Sequence, residues 1–320
     1  MCRRAFAAVA CVVLQTGAAR SHQGHLHWWE VGTTWTWDPL VTVPTAVIGV
    51  LWAVGVTRLW RRVGPGRGVS PAGAACFLGG WWALIMALVS PLHWLGERLF
   101  AVHMIEHNVL MTVAAPLLVL GRPMGPMLWG LPVRWRIPMG SALRMASGSV
   151  GWRVITGPVV ATAAHGAALW LWHVPALYEA ALANPRVHWL QHLSFFLTAL
   201  VFWWALLRRR DRGYGVAVLC LLITSIHAGM LGALLVGARD VLYPLQSATA
   251  ADWGLAALED QQLAGLIMWV PGGIVYGAAA LALAGVWIAR TIDPDGSSSP
   301  ASGDQTLDPL RRGAHVGTAK

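Results

Sequence analysis

The stretch FAVHMIEHNVLMTVAAPLLVL, residues 100–120, holds one formally charged side chain, Glu106, and two histidines four residues apart, His103 and His107. At 1.5 Å of rise per residue, about 20 apolar residues are needed to cross a hydrocarbon core of about 30 Å. This stretch meets that length. In such a solvent each backbone N–H and C=O must be paired within the segment, so the stretch reads as a helix. Six further apolar segments have similar reach: 40–60, 73–92, 157–174, 187–207, 214–236 and 261–289. The whole chain is 56% hydrophobic and 12% charged, whereas a soluble domain carries about 25% charged residues. The expected fold is all-α: a polytopic membrane helical bundle with seven transmembrane helices after an N-terminal signal segment.

Arg3 and Arg4 followed by the apolar run 5–15 and the small residues Gly17, Ala18 and Ala19 read as a signal peptide over 1–19. Cleavage is the expected outcome; retention as an anchor is the alternative. Residues 20–39 form a His/Trp-rich extracytoplasmic segment, 40–290 the transmembrane domain, and 291–320 a polar cytoplasmic tail whose composition predicts disorder. Orientation follows from the positive charges. Arg58, Arg61, Arg62, Arg67, Arg122, Arg134, Arg136, Arg144, Arg153, Arg208, Arg209, Arg210, Arg212 and Arg290 fall in one set of connections. Arg98, Arg186 and Arg239 fall in the other, beside several acids. The arginine-rich set is expected in the cytoplasm of a bacterial plasma-membrane protein, which also places the N-terminus outside. Residues 122–153, with Pro, Trp and Arg at intervals, are long enough to contain an interfacial helix.

The net charge of +9 does not indicate nucleic-acid binding. The arginines sit between apolar runs, and no segment offers a basic face with base-reading side chains. Cys2, Cys11, Cys76 and Cys220 form no C-x-x-C pair, so neither a disulfide framework nor a thiol metal relay is implied.

The histidines gather on the extracytoplasmic side. Residues 103–107 read His-Met-Ile-Glu-His and 188–192 read His-Trp-Leu-Gln-His, two copies of H-x-x-(E/Q)-H. A spacing of four puts both imidazoles on one helix face, about 5–6 Å apart, close enough to chelate one ion. His103, His107, His188 and His192 are therefore the main candidate metal ligands. Glu106 and Gln191 occupy matching offsets and are candidates to fix a ring tautomer from outside the ligand set. Met111 continues the first face, and a thioether beside imidazole favours a soft ion such as copper. His173, His227 and Met230 are additional candidates, with core packing as the competing explanation for His227. His22, His25 and His27 form a short tract suited to loose metal capture or to a solvated linker. Asp260 and Gln261, at the outer mouth of the last segment, are candidates to line the cavity. His165, deeper in the fourth segment, reads as a hydrogen-bonded packing residue.

The residues leave several chemistries open. H-x-x-E-H is also the inverted zinc-protease motif, but Gln191 in the second copy cannot act as a base and no third carboxylate ligand follows. A haem-b electron carrier needs two axial histidines at one depth, which these pairs supply redundantly. Copper is the expected ion, with zinc and haem b as the alternatives. A metal-free scaffold would use small-residue and Trp-rich faces instead.

The chain resembles the CtaG-type cytochrome c oxidase assembly factors, tied to the caa-type oxidases. The resemblance is carried by several motifs in order over about residues 35–290. They are Trp37-Asp38-Pro39; His103-Met104 with His107; the run from Ala115-Pro116 to Arg122-Pro123; Trp172-His173-Val174-Pro175 with Leu177-Tyr178; His188 to His192 with Phe195 to Trp204; and Asp260-Gln261-Gln262 with Met268-Trp269 and Pro271-Gly272. It implies a non-enzymatic role in oxidase maturation within the bilayer, through copper supply, with a terminal oxidase subunit or another copper chaperone as partner. Glu106 departs from the family pattern, where Gln is more typical.

Overall fold

The structure is a computed structural model that describes residues 31–208 and 213–292. The signal segment, His22, His25, His27 and the tail beyond 292 lie outside the described residues. Among the described residues there is no strand. The helices are α1 (Pro39–Val63), α2 (Pro71–Leu88), α3 (Pro91–Gly96), α4 (Phe100–Gly121), α5 (Met124–Gly130), α6 (Val133–Gly148), α7 (Val150–Ile155), α8 (Pro158–Trp172), α9 (Pro175–Ala183), α10 (Pro185–Arg208), α11 (Tyr214–Val236) and α12 (Ala257–Ile292).

Six of these, α1, α2, α4, α10, α11 and α12, are long and apolar enough to cross a membrane. The count of seven is not confirmed, because the fourth expected span is short. Its helix, α8, has only 15 residues, because His173-Val174-Pro175 breaks the apolar run and restarts it as α9. The residue before a proline is driven from helical to extended backbone, and Val174 sits at ψ 123°. The exposed faces of the long helices carry Val47, Val50, Trp82, Ile226, Ile274 and Leu281, while His103, Glu106, His107, Asp260 and Gln261 are buried. That inversion of a soluble protein's surface suits lipid as the solvent.

Helix starts follow local chemistry. Asp38, Ser70, Ser90 and Ser149 accept hydrogen bonds from first-turn N–H groups of α1, α2, α3 and α7, and proline follows the first three. A polar side chain satisfies an orphan donor there, and proline loses no bond at the first helical position. Helix α4 has no cap of its own. Its first N–H groups, of Phe100 and Ala101, donate to the buried Asp260 carboxylate at 2.7 and 2.9 Å.

Helix α4 is central: 61% of its apolar window is buried, against 22% in α1 and in α12. It packs on α2, α10 and α12. Residues Val109–Ala114 are a π-helical turn, and Pro116 explains one of its consequences. The Ala115 N–H donates to Leu110 O, and Pro116 has no N–H to offer the Met111 carbonyl. The indole of Trp203 on α10 donates to that carbonyl at 2.8 Å. Helices α11 and α12 meet through Gly232 and Gly265, where a Cβ on either would lie 2.7 Å from the other's carbonyl oxygen. Small residues permit this approach of backbones.

One end of the bundle is built by the connections around 36, 88–99, 173–184 and 237–256. Thr36 N donates to Val89 O, Gln246 to Gly96 O, and the Tyr243 hydroxyl to His173 O. The opposite end holds α5, α6 and α7, and helix α6 buries only Gly140 while exposing Trp135, Ile137 and Met145.

Candidate metal centre

Three elements converge at the end that holds α3. The first turns of α4 carry His103, Glu106 and His107 on one face, as offsets of three and four require. The first turns of α10 carry His188, Gln191 and His192. The short helix α3, started by Ser90-Pro91, presents His93. His103 and Glu106 are fully buried, and His107 and His192 nearly so. Ring centroids lie 4.2 Å apart for His103 and His107, 4.9 Å for His107 and His192, 5.4 Å for His103 and His188, and 5.8 Å for His93 and His188.

The polar contacts are few. His93 Nδ1 donates to Glu106 Oε1 at 2.8 Å, and His192 Nε2 lies 3.5 Å from the same oxygen. His188 and His192 share a hydrogen bond of 2.8 Å between their Nε2 atoms, one ring donating to the other's lone pair. Burial lowers the His93 pKa, but the Glu106 charge and hydrogen bond outweigh it and raise His93 to about 8. Both nitrogens of His103 and of His107, Glu106 Oε2 and His192 Nδ1 are buried without a hydrogen-bond partner. Each such group left unsatisfied costs about 1–3 kcal/mol. The contrast is His165, whose nitrogens meet Tyr276 Oη at 3.1 Å and Thr198 Oγ1 at 3.3 Å.

The other expected residues stand at the edge of the cluster, as His173 does, or outside it. Met111 is buried in the hydrophobic core. His173 donates its Nδ1–H to Leu169 O at 2.7 Å and keeps Nε2 unpartnered, its ring behind Tyr178 and Phe195. His227 lies over Gly166 of α8, and Met230 is 51% exposed; the structure brings neither into the cluster. Gln191 is buried with its amide nitrogen unpartnered. Asp260 is taken up by the α4 cap, and Gln261 accepts Leu242 N–H and donates to Asp240 O. These two hold the frame rather than line a cavity.

His93 lies at the outer end of the second apolar segment, and its spacing alone does not join it to either histidine pair. Its signal was present in Ser90-Pro91, which starts a new short helix and turns His93 back over α4. Gly96, at the end of that helix, was also passed over. A Cβ there would lie 2.9 Å from Glu106 Oε2 and 3.3 Å from the His103 Cα.

The donors suit a transition-metal ion. One ligand atom each from His103, His188 and His192 fall within 4.8 Å of one another, and so do those of His93, Glu106 and His192. Metal–imidazole bonds of about 2.0–2.1 Å put opposed donors about 4 Å apart, so ring rotations of less than about 1 Å would close either set. Neutral imidazoles with one carboxylate fit copper or zinc, not magnesium or calcium. A haem fits poorly, because the rings that would be axial pack directly against other imidazoles and leave no plane for a macrocycle.

Comparison with known proteins identifies the family of the chain. Uncharacterized proteins of Mycobacterium bovis and Mycobacterium tuberculosis are each 26% identical over 251 residues, covering 75% of this chain and 37% of theirs. The chain thus spans little more than a third of the length of these curated relatives. No solved structure matches it. Residues 50–290, which contain every helix of the histidine cluster, match the cytochrome c oxidase caa3 assembly factor family, Caa3_CtaG, and the chain belongs to that family.

Proposed function

We propose that the imidazole cluster binds copper as cargo, and that this oxidase assembly factor supplies the ion to a terminal oxidase subunit or receives it from another copper chaperone. The observation that carries the reading is the pair His103 and His107. Four ring nitrogens are buried without partners, an arrangement that costs stability unless something binds there. Family membership supports an oxidase as the client. The arginines support the orientation: Arg58, Arg122, Arg134, Arg136, Arg153 and Arg290 belong to the end opposite the cluster, so the cluster faces outward and the C-terminus is cytoplasmic. A non-catalytic role fits the description of the family as an assembly factor.

The test is metal analysis of untagged protein. Wild type is expected to hold copper stoichiometrically, and the double variant His103→Ala/His192→Ala none. Met230→Leu and His227→Ala are expected to leave the content unchanged. Equal copper in the double variant would refute the assignment. A metal-free wild type that still restores oxidase assembly would make the protein a membrane scaffold.

A further inference from the structure

We infer that the cluster is two overlapping three-ligand stations that share His192, and that a single ion passes between them by exchanging ligands on that ring. The inference rests on the copper reading above and deepens it. One station is His93, Glu106 and His192; the other is His103, His188 and His192. The shared atom is what makes them alternatives. His192 Nε2 lies 2.8 Å from His188 Nε2 and 3.5 Å from Glu106 Oε1, so the same nitrogen faces both sets. An imidazole nitrogen has one lone pair and binds one ion. The stations cannot both be complete through that nitrogen, and one ion per chain is the expected occupancy.

Charge distinguishes the two stations, since each holds one partly exposed ring, His93 in the first and His188 in the second. His93 has 18% of its side chain exposed, whereas Glu106 is fully buried beside it. Glu106 is the only anion among the six ligand candidates of the cluster, and the charges of Glu97 and Asp38 act on His93 from outside it. A cation entering past His93 therefore meets the buried carboxylate before the neutral rings of the second station, and the attraction is strong in so dry a site. The second station offers only neutral rings. There the fully buried His103 stands beside the partly exposed His188, and His107 lies one turn below, with both nitrogens unpartnered. Glu106 stays close enough to compensate the charge of an ion held there. The first station thus loads and unloads, and the second retains. Moving an ion between them breaks its bonds to His93 and Glu106 and forms bonds to His103 and His188, with no change of oxidation state.

Copper(I) supplied anaerobically to purified full-length protein, with a chromophoric chelator as competitor, gives stoichiometry, uptake rate and release rate. Wild type is expected to take one ion per chain. His93→Ala and Glu106→Gln are each expected to keep one ion per chain but to load about 10-fold more slowly or worse, within the range for lost supporting groups around metal sites. His103→Ala is expected to load normally and to yield its ion to chelator about 10-fold faster. Size-exclusion profile and circular dichroism establish that each variant is folded, and His93→Gln repeats the test with a milder change. Two ions per chain in wild type overturn the shared-ligand inference, as does complete loss of binding in both His93 variants. Wild-type rates in His93→Ala and Glu106→Gln also overturn it. Wild-type protein that takes up no copper instead defeats the copper reading itself, before any variant is compared.

Discussion

Replacing Asp260 tests whether the site is framed from a distance. Its carboxylate lies on α12, yet it accepts the Phe100 and Ala101 N–H groups at 2.7 and 2.9 Å and is fully buried. Those are the first donors of the helix that positions His103 two to three residues further on, and α4 has no cap of its own. Asp260→Ala strands both donors in a dry interior. At about 1–3 kcal/mol each, the expected cost is about 2–6 kcal/mol. Loss of a negative charge at a helix N-terminus adds about 0.3–1 kcal/mol. Asp260→Asn keeps one carbonyl acceptor but turns an amide donor toward the second N–H, so about half the cost is expected. Thermal unfolding of purified protein in one detergent should rank wild type above Asp260→Asn above Asp260→Ala, by several degrees per step. Copper retention should fall in the same order although Asp260 is not a ligand. Equal melting temperatures in all three proteins would refute the capping argument. A destabilised Asp260→Ala with undiminished copper affinity would show that the cap does not position His103.

Three further outcomes are expected. Gly96→Ala places a methyl 2.9 Å from Glu106 Oε2, and overpacking of about 1–3 kcal/mol should appear as a lower melting temperature with weaker metal retention. The His93–Glu106 pair should make metal-free protein pH-sensitive. With His93 raised from 6.5 to about 8, its contribution of about 2 kcal/mol is complete below pH 6.5 and lost as pH rises through 8. Melting curves at pH 6 and 9 check this, and Glu106→Gln should flatten the difference. Trp203→Phe removes the donor to Met111 O and should cost about 1–3 kcal/mol. In a Pro116→Ala background the new N–H can serve that carbonyl, so the double-mutant cycle should show positive rescue; purely additive losses would refute the account.

Much of the architecture follows from local chemistry. The apolar runs, proline positions and Asx/Ser caps specify helices at nearly the right places, because a membrane-crossing backbone has no other way to pair its polar groups. The i, i+4 spacing likewise puts His103 with His107 and His188 with His192 whatever surrounds them. The shortness of α8 was available in Val174-Pro175 but was masked by hydropathy, which averages over a break. The π turn after His107 could not be read, since Pro116 alone is compatible with an ordinary kink.

What residue spacing cannot state is which helix ends meet. Asp260 and Gln261 look like mouth residues along the chain, and only packing turns them into a cap for α4 and a clamp on the loop at 240–242. His227 and Met230 look like ligands until α11 is rotated to face α8 and lipid. Met111 shares the helical face of His103 and His107, yet it is buried in the hydrophobic core. The FAVHMIEH stretch by itself determined a membrane helix with a two-imidazole face, because both follow from short-range geometry. Only the tertiary structure decided that His93 joins Glu106 on that face, because it takes the reversal at Ser90-Pro91 and the close fit of Gly96 to bring α3 over α4.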